Sequence, residues 1–292
     1  MRTNEHKPVL GVDLGGTNMR SGRVRAGNVQ QVSKNEVPQT TDENVVLDRL
    51  ITTIENTFDA QIEAIGVGVP SLLDRKTGIV YTVQNIPSWK EVPLKQILEA
   101  HFQVPVYIDN DANCFALGER IFGAGQNHED FVGLCIGTGL GCGIIKEGKL
   151  IQDANGCSGE FGSLFYLDSI VEDYCSSKFF INKYNESGAN LFSKAQLGDQ
   201  KALEVFKEFG HHLGKAIQMI LFSVDPEAII LGGSIANAYS IFIEALHQAL
   251  GEFPYPNMID KLRIIRATNS DAGILGAAAL CFNPINEPIK QF

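Results

Sequence analysis

The sequence lacks the features that mark several large classes of protein. Its six cysteines form no CxxC pair and its six histidines form no HExxH motif, so metal-ligand spacing is absent and no disulfide framework is expected. It has no lysine-rich run, and its net charge of −10 argues against binding to nucleic acid or to an acidic membrane surface. No stretch approaches the roughly 18 apolar residues of a membrane span, and the polar start MRTNEHKP lacks a signal-peptide core. These absences predict a cytoplasmic protein with six scattered, buried thiols.

The two commonest glycine-rich nucleotide motifs are missing as well. Neither glycine loop gives GxGxxG before a helix, and no GxxxxGK[ST] sequence occurs. A nucleotide would therefore have to be bound by another arrangement of backbone groups. At 292 residues the chain is long for a single hydrophobic core, which predicts two domains.

The stretch VPVYIDNDAN joins an apolar strand to a cluster of polar side chains. Its start at 104–108 is typical of a buried strand, and a helix is predicted at 114–122. Between these elements lie Asp109, Asn110, Asp111 and Asn113. Acids at the carboxyl end of a strand suit a crevice where a carboxylate accepts a proton or orients a hydroxyl group. The alternative is a turn whose Asx side chains cap the following helix.

Two predicted hairpins carry small residues where their strands meet. The first has strands at 8–12 and 19–24, and the second leads from a strand at 131–136 into a glycine-studded return strand. Their turns read Asp13-Leu14-Gly15-Gly16-Thr17-Asn18 and Gly137-Thr138-Gly139. Backbone N–H groups without side-chain bulk suit a phosphate, and Asp13 could hold a hydrated Mg²⁺; a plain hairpin turn would need no acid. The repeated pattern predicts two structurally similar halves that grip one polyphosphate.

Three further positions combine a polar or aromatic side chain with a loop or a helix start. Glu160 lies in the small-residue loop NGCSGEFG and is either a ligand-binding acid or a solvated one. Glu172 falls in the first turn of a helix, where the helix dipole alone could explain an acid. The segment 72–89 is predicted to be a loop and a hairpin with its turn at 74–78; Trp89 falls in the loop and either packs under a lid or contacts a ligand.

The remaining predicted elements are helices and one further strand. Helices are predicted at 44–57, 93–102, 199–224 and 271–279, and Gly210 and Gly214 in the third indicate close helix packing. A strand at 228–231 ends in Gly232-Gly233-Ser234, which would permit close backbone approach to a nucleotide. No linker or low-complexity segment interrupts the chain.

Eight stretches, in order from Leu10 to Leu280, resemble the ROK family of sugar kinases within the actin-like ATPase superfamily. They are GVDLGGTNMR, GVGVPSLLDRKTG, NIPSW, VYIDNDANCFALGE, CIGTGLGCGI, NGCSGEFG, DPEAIILGGS and DAGILGAAAL. The resemblance implies an α/β fold of two actin-like (ribonuclease H-like) domains with sugar and ATP in the cleft between them. We expect a small N-terminal domain at 1–115 with 280–292 and a large C-terminal domain at 116–279.

The resemblance also implies roles for individual residues. Asp111 would be the catalytic base facing the sugar's 6-hydroxyl, and Asp13 would hold Mg²⁺ through water. The residues implied to bind sugar are Asn85, Asn110, Asp111, Glu160, Ser163 and Glu172. Those implied to bind the phosphates of ATP are Gly15, Gly16, Thr17, Asn18, Gly137, Thr138 and Gly139, with Gly232 and Gly233 near the adenosine.

The chain departs from the family pattern at two places near the implied sugar site. Ser163 stands where the family usually has a histidine that contacts sugar and zinc, and the CxCGxxGC zinc loop that normally follows is missing. We therefore expect no structural zinc. Pro70-Ser71 replaces the Pro-Gly of the family's sugar loop. Both departures affect the choice of sugar.

The expected function is that of an ATP- and Mg²⁺-dependent hexose kinase that phosphorylates the 6-hydroxyl of glucose. N-acetylmannosamine, N-acetylglucosamine and fructose are alternative substrates. A sugar-sensing regulator is the alternative from another class, since the family includes repressors; those carry an N-terminal helix-turn-helix, whereas nine residues precede Leu10 here. A kinase-like protein without activity is a third interpretation. The expected partners are a hexose or N-acetylhexosamine, ATP and a second copy in a homodimer, without nucleic acid or membrane.

Overall fold

A computed structural model describes residues 8–83, 86–151, 153–154, 156–269 and 271–282. Its strands are β1 Val9–Leu14, β2 Asn18–Arg25, β3 Asn28–Glu36, β4 Ile65–Val69, β5 Leu73–Asp74, β6 Ile79–Val83, β7 Ile86–Val92, β8 Val106–Asn110, β9 Phe131–Ile136, β10 Leu140–Lys146, β11 Lys149–Leu150, β12 Phe165–Tyr166, β13 Ser169–Ile170, β14 Ala228–Gly232 and β15 Arg263–Arg266. Its α-helices are α1 Glu43–Glu55, α2 Leu94–Phe102, α3 Asp111–Phe122, α4 Val171–Cys175, α5 Ser177–Tyr184, α6 Gly188–Gln196, α7 Gln200–Val224, α8 Tyr239–Leu250, α9 Pro256–Ile259 and α10 Ala272–Ala279.

The chain forms two compact units. The first contains the described residues within 1–126, 149–158 and 269–292, and the second contains those within 127–148 and 159–268. Each unit has its own sheet and helices, as expected for the predicted α/β class. The domain boundaries expected from the sequence, at 115/116 and 279/280, stay a prediction.

The sheet of the first unit brings three strand ends to one edge. Its strand order is β3-β2-β1-β4-β8, with β1 and β2 antiparallel and with β4 parallel to both β1 and β8. In this register Asp13 lies opposite Gly68, and Gly68 lies opposite Asp109. Because parallel strands end on the same side of a sheet, the polar residues that follow β1 and β8 share that edge.

Helix α10 lies directly against the backbone of β1 and β4. A Cβ atom on Gly11 would lie 1.9 Å from the carbonyl oxygen of Ile274, and one on Gly66 would lie 1.9 Å from that of Ala277. The predicted small-residue helix is confirmed, and the two strand glycines make its close approach possible.

The segment 72–89, predicted as a loop and a hairpin with its turn at 74–78, forms that hairpin from β5 and β6. The part predicted as a loop from residue 86 onwards is instead a third strand, β7, so that part of the prediction was wrong. Its inward positions Ile86, Trp89 and Val92 are three residues apart, because the pairing of β6 with β7 has an irregular register. A search for alternating apolar residues therefore misses the strand. Trp89 has no exposed surface and packs in the main hydrophobic core of the unit, as in the packing interpretation.

The second unit repeats the strand pattern of the first. Its sheet has β10, β9, β14 and β15 in that order, with β9 and β10 antiparallel and with β14 parallel to both β9 and β15. A hairpin followed by two parallel strands is thus common to both units, which confirms the prediction of two similar halves. On α7, Gly210 and Gly214 face the backbone of α8, where added Cβ atoms would lie 2.3 Å from Phe242 O and 2.8 Å from Leu246 O.

The six cysteines are scattered along the chain, as predicted. Cys114, Cys142 and Cys175 are buried, Cys135 and Cys281 are partly buried, and Cys157 is exposed. The prediction that every thiol is buried was therefore wrong for Cys157 and met only in part at Cys135 and Cys281. Within the described residues, no helix combines the length and the apolar character that a membrane crossing requires.

Replacing Gly66 by alanine tests the packing of α10. The new methyl group would meet the Ala277 carbonyl, and overpacking of this kind costs about 1–3 kcal/mol in the free energy of unfolding. The control is Gly198→Ala, where a Cβ meets nothing within 4 Å and only the left-handed backbone (φ 85°) resists the change. Urea denaturation should show a larger loss for Gly66→Ala than for the control, and equal stability would contradict the packing.

Candidate active-site residues

Three carboxylates of the first unit act electrostatically on the thiol of Cys114. Burial is the main cause that raises the pKa of Cys114, the negative charges of Asp109, Asp111 and Asp13 each raise it further, and the charge of Arg75 opposes the rise. Gly68, on β4 between β1 and β8, leaves room for the Cys114 side chain: an added Cβ would lie 3.2 Å from Cys114 Sγ and 3.8 Å from Asp111 Cα. The fold therefore brings together two acids that the sequence places almost one hundred residues apart.

Asp111 is the first residue of α3, which begins three residues earlier than predicted. Asn110 caps this helix, since its Oδ1 accepts a hydrogen bond from Ala112 N at 2.8 Å. Asp111 Oδ1 accepts from the same N–H at 2.9 Å, and the Asp111 side chain is exposed. The capping interpretation is therefore confirmed for Asn110, and the catalytic role of Asp111 stays a prediction.

Asp13 lies at the end of β1, between a guanidinium and the first turn of α10. Arg20 Nε is 3.6 Å from Asp13 Oδ2, and Arg20 Nη2 is 3.6 Å from Asp271 Oδ1. Burial raises the pKa of Asp13, and the charge of Arg20 opposes that rise. A Cβ on Gly273 would lie 2.4 Å from Asp13 Oδ2, so this glycine makes room for the carboxylate.

The donor chemistry at Asp13 fits a hydrated Mg²⁺. A carboxylate oxygen is a hard ligand, and Mg²⁺ is commonly held by one or two carboxylates together with water and substrate phosphates. The Asp13 side chain is one-third exposed (33%), which leaves it accessible to such a hydrated ion.

The glycine turn that follows Asp13 is closed by its own backbone. Gly15 N donates to Asn18 O at 2.9 Å, and Thr17 O accepts from Val37 N at 2.9 Å. Thr17 is exposed, and Gly16 and Asn18 are partly exposed. The predicted hairpin is confirmed, and its tip presents backbone to solvent beside Asp13, as a phosphate-binding loop would.

In the second unit, the Gly137-Thr138-Gly139 turn is held from one side by α4 and α5. Ser177 N donates to Gly137 O at 2.8 Å, and Leu140 N donates to Glu172 Oε2 at 3.0 Å. A Cβ on Gly139 would lie 2.5 Å from Glu172 Oε2. Glu172 is in the first turn of α4, as predicted, and is packed against this turn.

The other side of that turn is open. The nearest heavy atom to an added Cβ on Gly137 is Ser234 Oγ, at 3.9 Å, and Thr138 is exposed. Gly233, which precedes Ser234, has a φ of 84°, and its added Cβ would lie 2.3 Å from Ile136 O. The two glycine segments predicted to bind ATP are therefore adjacent within this unit, with bare backbone suited to phosphate.

The loop that carries Glu160 lies against the backbone of β10. Gly159 has a φ of 93°, and an added Cβ there would lie 2.3 Å from Cys142 O, while one on Gly162 would lie 2.9 Å from Leu140 O. Although Glu160 is an exposed residue, partial burial of its carboxyl raises its pKa, and the charge of Glu172 raises it further. Two of the predicted sugar-binding acids are thus close enough to influence each other.

Ser163 is exposed and stands at the start of the segment that connects the Glu160 loop to Glu172. Its N–H donates to Glu160 O at 3.1 Å. Glu172 Oε1 accepts a hydrogen bond from Lys178 Nζ at 2.6 Å, so both Glu172 oxygens bind protein donors in this structure. Asn85, the remaining predicted sugar ligand, lies outside the described residues.

Sequence reasoning missed three charged residues at these sites, which are Lys178, Arg75 and Asp153. Lys178 pairs with Glu172, and Arg75 joins Asp109 to Asp153 in an ion-pair network. The motif DRKTG reads as a turn, and no local pattern reveals that its arginine reaches a buried carboxylate 34 positions away. Among the described residues, no group of three or more His, Cys, Asp or Glu side chains is arranged to hold a metal ion.

A hydrogen-bonded chain supports the hairpin of β12 and β13, which lies between Ser163 and Glu172. Tyr166 Oη lies 3.0 Å from His212 Nδ1, and His212 Nε2 lies 3.4 Å from Glu208 Oε1. His212 is buried and its neighbour His211 is exposed, so the two histidines point to different helix faces, as predicted. Burial lowers the pKa of His212 although the charge of Glu208 opposes this, which favours a neutral imidazole in the folded protein.

Comparison with known proteins identifies the family to which this chain belongs. The sequence profile of the ROK family matches residues 9–283. The chain belongs to the ROK family. Over 93% of its length it is 28% identical to the glucokinase of Thermotoga maritima, of which it covers 96%. A ROK family glucokinase of Streptomyces griseus, solved with glucose and AMPPNP, superposes with a TM-score of 0.79 at 26% identity, covering 94% of this chain and 98% of that one.

Regulators of the same family are also similar to this chain. It is 28% identical to the xylose repressor of Bacillus spizizenii over 78% of its own length and 63% of the repressor's. The comparisons therefore support a relationship to sugar kinases and the actin-like fold. The similar proteins also include some that are named as repressors.

The stability contributed by His212 should fall on acidification. Its folded-state pKa is below the ordinary 6.5, so the unfolded chain binds the proton more readily. The contribution is therefore intact above pH 6.5 and is lost as the pH falls below that value, by at most about 1.4 kcal/mol per pH unit. Thermal unfolding between pH 8 and pH 5 should show a smaller decline for His212→Gln than for the wild type. His247→Gln, an exposed histidine of α8 whose charge is not among the causes that shift the pKa of His212, should decline as the wild type does; parallel curves for all three proteins would refute this role.

Proposed function

We propose that this protein is an ATP-dependent hexose kinase that transfers the γ-phosphoryl group of ATP to the 6-hydroxyl of a hexose. The observation that carries the proposal is the common edge of β1, β4 and β8. There an accessible carboxylate, Asp111, lies on the same sheet edge as Asp13 and its glycine turn. A base, a metal-binding acid and a phosphate loop are the groups that phosphoryl transfer requires. Family membership supports the same reaction class.

In this proposal Asp111 acts on the sugar hydroxyl. It orients the hydroxyl for in-line attack and accepts its proton late, because the transition state of phosphoryl transfer is largely dissociative. Its position at the start of α3 stabilises the anionic form of the carboxylate through the helix dipole. Asn110, Glu160, Ser163 and Glu172 are proposed to bind the other sugar hydroxyls, together with Asn85.

The phosphates of ATP are proposed to bind the two glycine turns, at Gly15–Asn18 and Gly137–Gly139, with Gly232 and Gly233 near the adenosine. When bound at Asp13 through water, Mg²⁺ would neutralise charge on the β- and γ-phosphates. The open space beside Gly137 and the exposed tip at Thr17 support this assignment.

Glucose is the first substrate to test, because relatives named glucokinase match nearly the whole chain. N-acetylglucosamine, N-acetylmannosamine and fructose are the alternatives, since relatives include kinases named for the N-acetylated sugars. Ser163 affects this choice because a serine reaches less far than the family's histidine. The homodimer expected from the resemblance remains a prediction.

A sugar-sensing regulator is the second candidate. The similarity to xylose repressors favours it, as does the occupation of both Glu172 oxygens by protein donors. Such a protein would bind sugar without transferring phosphate. The accessible carboxylate at Asp111 favours the kinase instead.

Turnover should depend on Asp111. Loss of a general base costs about 10²–10⁴-fold in rate, so Asp111→Asn should lower kcat by that factor while sugar binding persists. The measurement is ADP release with Mg-ATP across the four sugars, alongside sugar binding by calorimetry. Asp48→Asn, an exposed acid on α1, is the matched control and should keep wild-type rates. Saturable sugar binding without turnover in the wild type would instead establish the regulator.

The requirement for Mg²⁺ should depend on Asp13. Removing a residue that holds a metal through water typically costs about 10–100-fold in metal affinity or activity. We expect Asp13→Asn to raise the Mg²⁺ concentration needed for half-maximal rate at fixed ATP by about that factor. Asp271→Asn is the control, because it removes the other carboxylate beside Arg20. Equal effects of both changes would show that Asp13 acts through Arg20 rather than on the metal.

A further inference from the structure

Arg75 joins three segments of the first unit that are far apart in sequence. Its Nε atom lies 3.1 Å from both carboxylate oxygens of Asp109, at the end of β8. Its Nη1 atom lies 3.0 Å from Asp153 Oδ1 and 3.4 Å from Ile151 O. One guanidinium thus bridges Asp109, two residues before the proposed catalytic base, and the described residues Ile151 and Asp153.

The turn that presents Arg75 is itself held by hydrogen bonds. Asp74 Oδ1 accepts from Lys76 N at 2.8 Å and from Thr77 N at 3.2 Å, and Gly78 N donates to Asp74 O at 2.7 Å. These bonds restrict the backbone on both sides of Arg75. The guanidinium therefore extends from a well-defined position.

Each carboxylate that Arg75 binds also fixes backbone around it. Asp109, which is 4% exposed, accepts from Asn110 N at 2.7 Å and from Asn113 Nδ2 at 2.9 Å. Asp153 accepts from Gly156 N at 3.2 Å and from Ser158 N at 2.7 Å. Burial raises the pKa of Asp109, and Arg75, Asn113 and Asn110 N oppose that rise.

We propose that Arg75 is a positioning residue for phosphoryl transfer, holding the Asp109–Asp111 turn and the loop residues Asp153, Gly156 and Ser158 in one fixed arrangement. This inference rests on the proposed function. Asp111 follows Asp109 by two residues, and Glu160 follows Ser158 by two residues, so both the base and a sugar ligand are attached to the bridged segments. Arg75 makes the bridge with two nitrogens of its planar guanidinium group, and a lysine ammonium does not reproduce this arrangement.

The first variant is Arg75→Met, assayed with Mg-ATP and the preferred sugar. A misplacement of about 1 Å at a reacting group costs up to about 10²-fold, so we expect kcat to fall about 10–100-fold. The KM for sugar should rise, and the KM for ATP should change less than about twofold, because the bridge touches neither glycine turn. The control is Arg23→Met, which removes another largely buried arginine, one bonded to Asp59 and Gln61. Wild-type kinetics in Arg75→Met would overturn the proposal.

The variant Arg75→Lys tests whether the positive charge at this position is sufficient or whether the geometry of the guanidinium is required. The ammonium keeps an ion pair with Asp109 but does not hold both carboxylates at once, so kcat should stay about tenfold below the wild type. Recovery to the wild-type kcat would show that charge alone matters and would overturn the bridge. This variant also keeps the proposal testable if Arg75→Met fails to fold.

Hydrogen exchange followed by NMR tests the bridge without turnover. In both variants the amides of Asn110, Gly156 and Ser158 should exchange faster, while amides of the β2–β3 hairpin should not change. Acceleration across the whole chain would indicate general loss of stability and would overturn a positioning role. A wild type without turnover would overturn the proposed function and the catalytic part of this inference; the exchange rates would still decide whether Arg75 locks the two segments.

Discussion

The direct contact of α10 with the strands β1 and β4 is the constraint on which the first unit depends. Gly11 and Gly66 allow the helix backbone to reach the sheet, and Gly273 in its first turn leaves space for the Asp13 carboxylate. The same contact thus sets the position of the helix and the surroundings of a proposed metal-binding acid. A side chain at any of these glycines would displace the helix and would change the surroundings of Asp13 at the same time.

The acids of this edge differ in how they are stabilised, and the difference separates structural from chemical roles. Asp109 is buried and is paired with Arg75 and Asn113, as a charge removed from water must be. Asp111, two residues later, is exposed at the start of α3, where it is accessible to a substrate. Asp13 lies between these two cases, because its side chain is partly buried and its Oδ2 atom is 3.6 Å from Arg20 Nε. An accessible carboxylate beside a fully paired one suits a base that must act on an external hydroxyl.

In the second unit, Glu172 stabilises the turn at Gly137–Gly139. It accepts a hydrogen bond from Leu140 N at the end of the glycine turn and a second one from Lys178 Nζ. The hairpin of β12 and β13, supported by Tyr166 and His212, connects Ser163 to this acid.

The sequence by itself determined the fold class, the two similar halves, the helix of α10 and the local form of both glycine turns. These features depend on periodicity and on glycine, which are local properties of the chain. It did not reveal β7, because the inward residues of that strand do not alternate, and it did not show that Asp109 is buried while Asp111 is exposed.

Only the tertiary structure decided which acid is buried, which arginine pairs with it, and that Glu172 packs against the glycine turn. The partners Arg75, Asp109 and Asp153 are separated by 34 and by 44 positions, and no local pattern encodes a contact at such distances. Parallel strands and loop closure bring them together, and burial then requires that their charges be paired.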